Sequence, residues 1–107
     1  MKVLRLYLLG VALTLPATGT SASGAEASGD GANVAFKYRC MTCHGVTGKS
    51  NSARYPNLAG QHAAYIDARL KYFRAETEPN NVMNGQAAPL NDEEIAAVAN
   101  YFSEQAQ

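Results

Sequence analysis

The chain has 107 residues, a length that fits one small domain. Nine basic residues balance nine acidic ones, so no basic patch argues for nucleic acid and no partner of that class is expected. The only two cysteines, Cys40 and Cys43, would close so short a loop as a disulfide that little unfolded-state entropy would be removed. Another use for them is expected.

The first segment reads as an export signal. Met1, Lys2 and Arg5 give a basic start, residues 6–15 are almost wholly apolar, and Pro16 ends the run. Small residues from Ala17 to Ala25 offer cleavage sites, best after Ala22 or Ala25. The apolar run is too short to cross a hydrocarbon core that needs about 20 residues. The expected division is a signal peptide over 1–25 and the functional domain over 26–107. Losing Lys2 and Arg5 leaves seven basic and nine acidic residues on an 82-residue domain with a net charge of −2. At that size an apolar core alone is marginal, and something further should help to hold it.

Ser21 to Gly31 is rich in Ser, Gly and Ala and reads as the signal's tail and a flexible mature start. Three main helices follow, and no strand pattern or repeat appears. The first is expected to begin at Asp30 as N-cap and to run through Ala35, Phe36 and Arg39 into Cys40. From Gly45 to Gly60 the composition is that of an irregular loop, long enough to need a reason such as wrapping a cofactor. The second helix is placed at His62–Arg74, where Ile66, Leu70 and Phe73 share one face. Residues 76–90, with Pro79, Asn80, Asn81, Gly85 and Pro89, read as a second loop. The third helix starts from Asn91, with Glu94 completing a capping box and Ile95, Val98, Ala99 and Phe102 forming an apolar stripe.

Cys40-Met41-Thr42-Cys43-His44 carries the spacing of covalent haem c attachment. Two thiols three residues apart on a helical turn can each take one vinyl group of the same porphyrin edge, and His44 then lies beneath the ring, facing iron. A thioredoxin-like pair would need a strand–helix–strand setting that is missing, and a zinc site would leave only His62 as a further histidine. For the sixth iron position, Met1 leaves with the signal and Met41 is trapped inside the attachment loop. Met83 remains as the expected ligand.

With the motif near the mature N-terminus, a mid-chain methionine and a last amphipathic helix, the chain resembles a class I c-type cytochrome. The segments Pro56-Asn57-Leu58-Ala59-Gly60-Gln61 and Leu90-Asn91-Asp92-Glu93-Glu94-Ile95 are similar to those of the small soluble bacterial monohaem cytochromes and of each half of the related dihaem ones. The resemblance covers roughly residues 30–103. It implies an all-α fold of three main helices and irregular loops wrapped around one covalent haem. It also implies that the Pro56 carbonyl accepts a hydrogen bond from His44, that Leu58, Tyr65 and Leu70 lie against the haem with Gln61 near its edge, and that the first and last helices cross tightly. Phe36 with Tyr101 or Phe102 are candidates for that crossing, and Gly31 and Ala35 would let the backbones approach. One departure stands out. Many relatives carry Gly-x-Arg after the second helix where this chain has Ala75-Glu76-Thr77-Glu78, which leaves Arg74 or Arg54 as replacement partners for a haem propionate.

The function that follows is that of a periplasmic monomeric carrier, not an enzyme, which moves one electron at a time between redox partner proteins and docks transiently on membrane complexes. A haem c subunit of a larger oxidase or dehydrogenase is the alternative. A haem peroxidase or gas sensor is a further one, but it would need an open iron and a distal acid–base group, for which only His62 is on offer.

Overall fold

Apart from Gly10 and Gly19, the computed structural model describes residues 26–107, so the export signal read in residues 1–25 lies outside what it describes. Five helices make up the domain: α1 Glu26–Lys37, α2 Cys40–His44, α3 Ala63–Arg74, α4 Val82–Ala87 and α5 Asp92–Ser103. Among the described residues there is no strand. None of these helices is long and apolar enough to cross a membrane.

Helix α5 is the centre of the packing, and its start is fully determined by local chemistry. The Asn91 side chain accepts from the Glu94 amide at 2.8 Å, and the Glu94 carboxylate accepts from the Asn91 amide at 3.3 Å. Two otherwise orphaned N–H groups are thereby satisfied. The Glu94 carboxyl is held below the usual range chiefly by a hydrogen bond from Tyr38, with the Asn91 amide and Lys37 adding to it. Ile95, Val98, Ala99 and Phe102, at 2% exposure or less, form the apolar stripe.

Helix α1 crosses α5 at close range. Ala35 is fully buried, and a Cβ placed on Gly31 would collide with the Ala97 carbonyl oxygen and come within 2.5 Å of the Tyr101 Cβ. The small residues therefore set the crossing, as the resemblance implied. Phe36 does not take part, since it is 78% exposed. Gly31 and Ala35 are four residues apart and share a face, which turns residue 36 to its outer flank.

Two further expectations are corrected. The first helix begins at Glu26, upstream of Asp30, and does not run on into Cys40. It breaks after Lys37, and Arg39 adopts a left-handed conformation (φ 59°) from which α2 starts. The second loop is not irregular throughout. Residues 82–87 form α4, capped by Asn81, whose side chain accepts from the Met83 amide at 2.8 Å. Six residues including Gly85 have little helical tendency of their own, and α4 is held by packing on α3, with Ala87 fully buried and Asn84 nearly so.

Helix α3 ends in a Schellman arrangement: the Glu76 amide donates to Phe73 and the Thr77 amide to Tyr72. That geometry puts Glu76 at φ 55°, where an L side chain is disfavoured by about 1–2 kcal/mol. Arg74 closes the same end by donating to the Leu90 carbonyl at 3.0 Å and to Asp92 at 2.7 Å.

Two substitutions test this packing in denaturant titrations. Gly31→Ala is expected to destabilise the fold by roughly 1–3 kcal/mol, because the added methyl meets backbone that cannot move alone. Glu76→Gly is expected to stabilise it by up to about 1 kcal/mol, the relief of the left-handed strain being partly offset by glycine's greater unfolded-state freedom.

Candidate functional site

The loop from Gly45 to Gly60 has no regular structure, yet its backbone is tied down at many points. The Leu58 and Ala59 amides both donate to the Gly48 carbonyl, at 2.7 and 3.1 Å, and the Gly60 amide donates to Phe102 at the end of α5. The Ser50 hydroxyl donates to the Cys43 carbonyl, the Ser50 amide to the Asn57 side chain, and the Tyr101 hydroxyl to the Val46 carbonyl at 2.6 Å. At Gly48 (φ 81°) a Cβ would lie 2.6 Å from the Ala59 nitrogen and 2.9 Å from the Phe102 ring. Only glycine lets the loop close this tightly on α5.

These ties present Pro56 to α2. His44 is buried at 6% exposure, and its Nδ1 lies 2.8 Å from the Pro56 carbonyl oxygen. A carbonyl only accepts, so Nδ1 donates, and Nε2 is the ring nitrogen left available to a metal. The same bond fixes the ring's rotation. Tyr55 meets the imidazole edge-on, with ring centroids 6.4 Å apart.

His44 opens onto a cavity of about 860 Å³, within the range of cofactor and ligand pockets. Cys40, Cys43, His44, Pro56, Leu58, Tyr65, Leu70 and Met83 all line it. The structure thus brings these eight residues read from the sequence to one place. Its apolar wall continues through Ile66, Phe73, Leu90, Val98 and Phe102, and its rim includes Gln61, Val82 and Gln86. Met83 reaches the wall from the first turn of α4 rather than from an irregular loop. Met41 packs on the core and is not part of the lining. His62 is an exposed residue at the start of α3, also outside the lining.

Charge in the cavity is one-sided. Arg39, Arg54 and Arg69 line it, and no carboxylate does. Arg74, engaged with Leu90 and Asp92, is not among the lining residues, so of the two replacement partners considered from sequence only Arg54 is at the site. Arg39 and Arg69 were missed. Arg69 lies three residues after Ile66 and so flanks the apolar face of α3; that spacing was the available signal. Its guanidinium stacks over Tyr72 and Phe73, 4.4 and 4.7 Å from their centroids.

Cys40 and Cys43 stand unbridged and half-buried. Burial pushes the Cys40 thiol up, and the neighbouring Cys43 adds to the effect, outweighing the opposing influence of a backbone hydrogen bond. A wide apolar slot, two thiols on one turn of its wall, a buried imidazole and three guanidiniums with no carboxylate among the lining residues suit a flat apolar macrocycle that carries two carboxylates and a metal.

A helical shell built around such a slot is that of a haem-carrying electron-transfer protein. Residues 28–105 match the family described as Cytochrome c, and the chain belongs to that family. It is 35% identical over 101 residues to the "Thiosulfate dehydrogenase electron acceptor" of Stutzerimonas stutzeri, covering 83% of this chain and 47% of that protein. It is 39% identical over 69 residues to "Cytochrome c-554(548)" of Halomonas halodenitrificans, covering 62% of this chain and 83% of that one. The crystal structure of reduced recombinant cytochrome c4 from Pseudomonas stutzeri superimposes with a TM-score of 0.68 at 30% identity, over 76% of this chain and 49% of that chain. Apart from the Halomonas protein, the chain spans about half the length or less of the curated relatives it matches. Its cofactor is covalently bound haem c with iron, and the sequence from Cys40 to His44 fits the attachment motif.

Proposed function

We propose that the chain is a periplasmic one-electron carrier whose single haem c is held by thioethers to Cys40 and Cys43 and ligated by His44 and Met83. The observation that carries this reading is the buried His44 imidazole, fixed by the Pro56 carbonyl and lining a cavity that Met83 also lines. Haem iron, when bound, supplies the one-electron couple; the residues decide how it is used. Cys40 and Cys43, on one turn beside His44, would hold the group through two thioether bonds. A Met83 thioether, in place of a second imidazole, would stabilise reduced iron and raise the potential. Leu58, Leu70, Ile66 and Leu90 keep water from most of the ring. Tyr65 and Val82, more than half exposed on the cavity lining, leave an apolar edge through which a partner can exchange electrons. Arg54 and Arg69 supply positive charge toward the propionates.

The relatives called thiosulfate dehydrogenase electron acceptors support a second reading, in which the chain serves one dedicated dehydrogenase rather than several partners. Copurification with such an enzyme would favour it.

Three experiments test the main reading. The alkaline pyridine spectrum of the purified protein, together with its mass, is expected to report one haem c on a chain shortened by its signal. In the double variant Cys40→Ser, Cys43→Ser, which leaves no sulfur to bond it, the haem should become extractable by acidified organic solvent. Met83→Ala is expected to lower the potential by on the order of 0.1 V and to open the iron to carbon monoxide. An unchanged potential and no new ligand binding in that variant would point to another axial group.

A further inference from the structure

Asn84 is the next residue after Met83 and is 9% exposed. Its amide Nδ2 donates to the Glu78 carbonyl at 2.7 Å, while its Oδ1 is buried without a partner. Such a half-satisfied amide lowers stability relative to an apolar side chain of the same shape, since the orphaned acceptor carries its desolvation cost in full. Asn84 is therefore poorly explained as a core residue. Its geometry gives it another use.

Glu78 lies in the segment that enters α4, between Glu76 and Asn80, both in left-handed backbone conformations (φ 55° and 63°). Asn84 reaches back over this segment from inside the helix and ties it down. Asn81, within the same bracket, caps the Met83 amide at 2.8 Å. Met83 is thus enclosed by a short ring of backbone closed by the Asn84–Glu78 bond, in a helix too short to persist alone. The other tie on Glu78, its carboxylate 3.8 Å from Arg69, is long and largely exposed, and such pairs contribute little. The buried amide is the main fastening.

We infer that Asn84 is a positioning residue for Met83: by clamping the Glu78 carbonyl it keeps the α4 turn closed and the thioether on the cavity wall. This rests on Met83 as the sixth ligand. An exogenous base can occupy the iron only when the thioether leaves, so its apparent affinity reports how often the turn opens.

The test is an imidazole titration of the oxidised holoprotein, read by its visible spectrum, alongside thermal melts followed by helical circular dichroism. Asn84→Leu should bind imidazole about three- to tenfold more tightly, the worth of one hydrogen bond, with a melting temperature unchanged or raised because the orphaned Oδ1 is gone. Asn84→Ala should show the same tightening, and Met83→Ala should bind far more tightly than either. Imidazole affinity within twofold of the unsubstituted protein in both Asn84 variants, with Met83→Ala still greatly tightened, would overturn the inference and leave Met83 as ligand. A tightening in Asn84→Leu that merely tracks a fall in melting temperature would also overturn it. If Met83→Ala binds no more tightly than the unsubstituted protein, the ligand assignment itself fails.

Discussion

The hydrogen bond from His44 to the Pro56 carbonyl is the interaction on which the rest of the site depends. It is made between a five-residue helix and a loop with no regular structure, so neither partner can hold the other in place unaided. The tight closure at Gly48, the tie from Tyr101 to Val46 and the bond from Gly60 to Phe102 all serve to bring that carbonyl to the imidazole. Through them the placement of the His44 ring is referred back to α5, whose apolar stripe is buried. Local irregularity is tolerable here because its backbone groups are satisfied one by one.

The division of labour among the helices follows from the same geometry. Helices α1 and α5 interlock through small residues, giving a rigid base that does not contribute to the apolar slot except through Val98 and Phe102. Helix α3 offers its stripe of Ile66, Leu70 and Phe73 to the cavity, and α4 lies on α3 with Met83 at its start. The slot is thus walled by two kinds of structure, one fixed by packing and one by hydrogen bonds. A domain of this size has little core to spare for a cavity, and a covalently bound apolar group filling it would restore much of the burial that the slot forgoes.

Much of this was legible in the residues. Caps and apolar spacing located α3 and the start of α5 to within a residue, because Asn91, Glu94 and the Ile95 stripe leave little choice of register. The attachment motif located the cavity, and the resemblance pointed to Pro56. What escaped reading depends on contacts between distant parts of the chain. Helix α4 carries loop composition and exists because Ala87 and Asn84 are buried against α3. The break at Arg39 uses a left-handed conformation that no feature of an arginine announces. Phe36 looks like a core residue by hydrophobicity, yet the crossing selects glycine and alanine for closeness of approach. Arg74 is nearer in sequence to the expected propionate position than Arg69, but its guanidinium is committed to the start of α5.

The bend at Arg39 has a consequence for how this surface can vary. A single residue both turns the chain between two helices and delivers a cation to the rim of the slot. These duties are chemically separable, since glycine satisfies the elbow without any charge, while lysine keeps the charge and inherits the steric penalty. Electrostatic tuning of the edge can therefore proceed at this position without redirecting the cysteine-bearing turn, so long as the replacement tolerates the mirror-image backbone; β-branched side chains are the ones that would force the two duties into conflict.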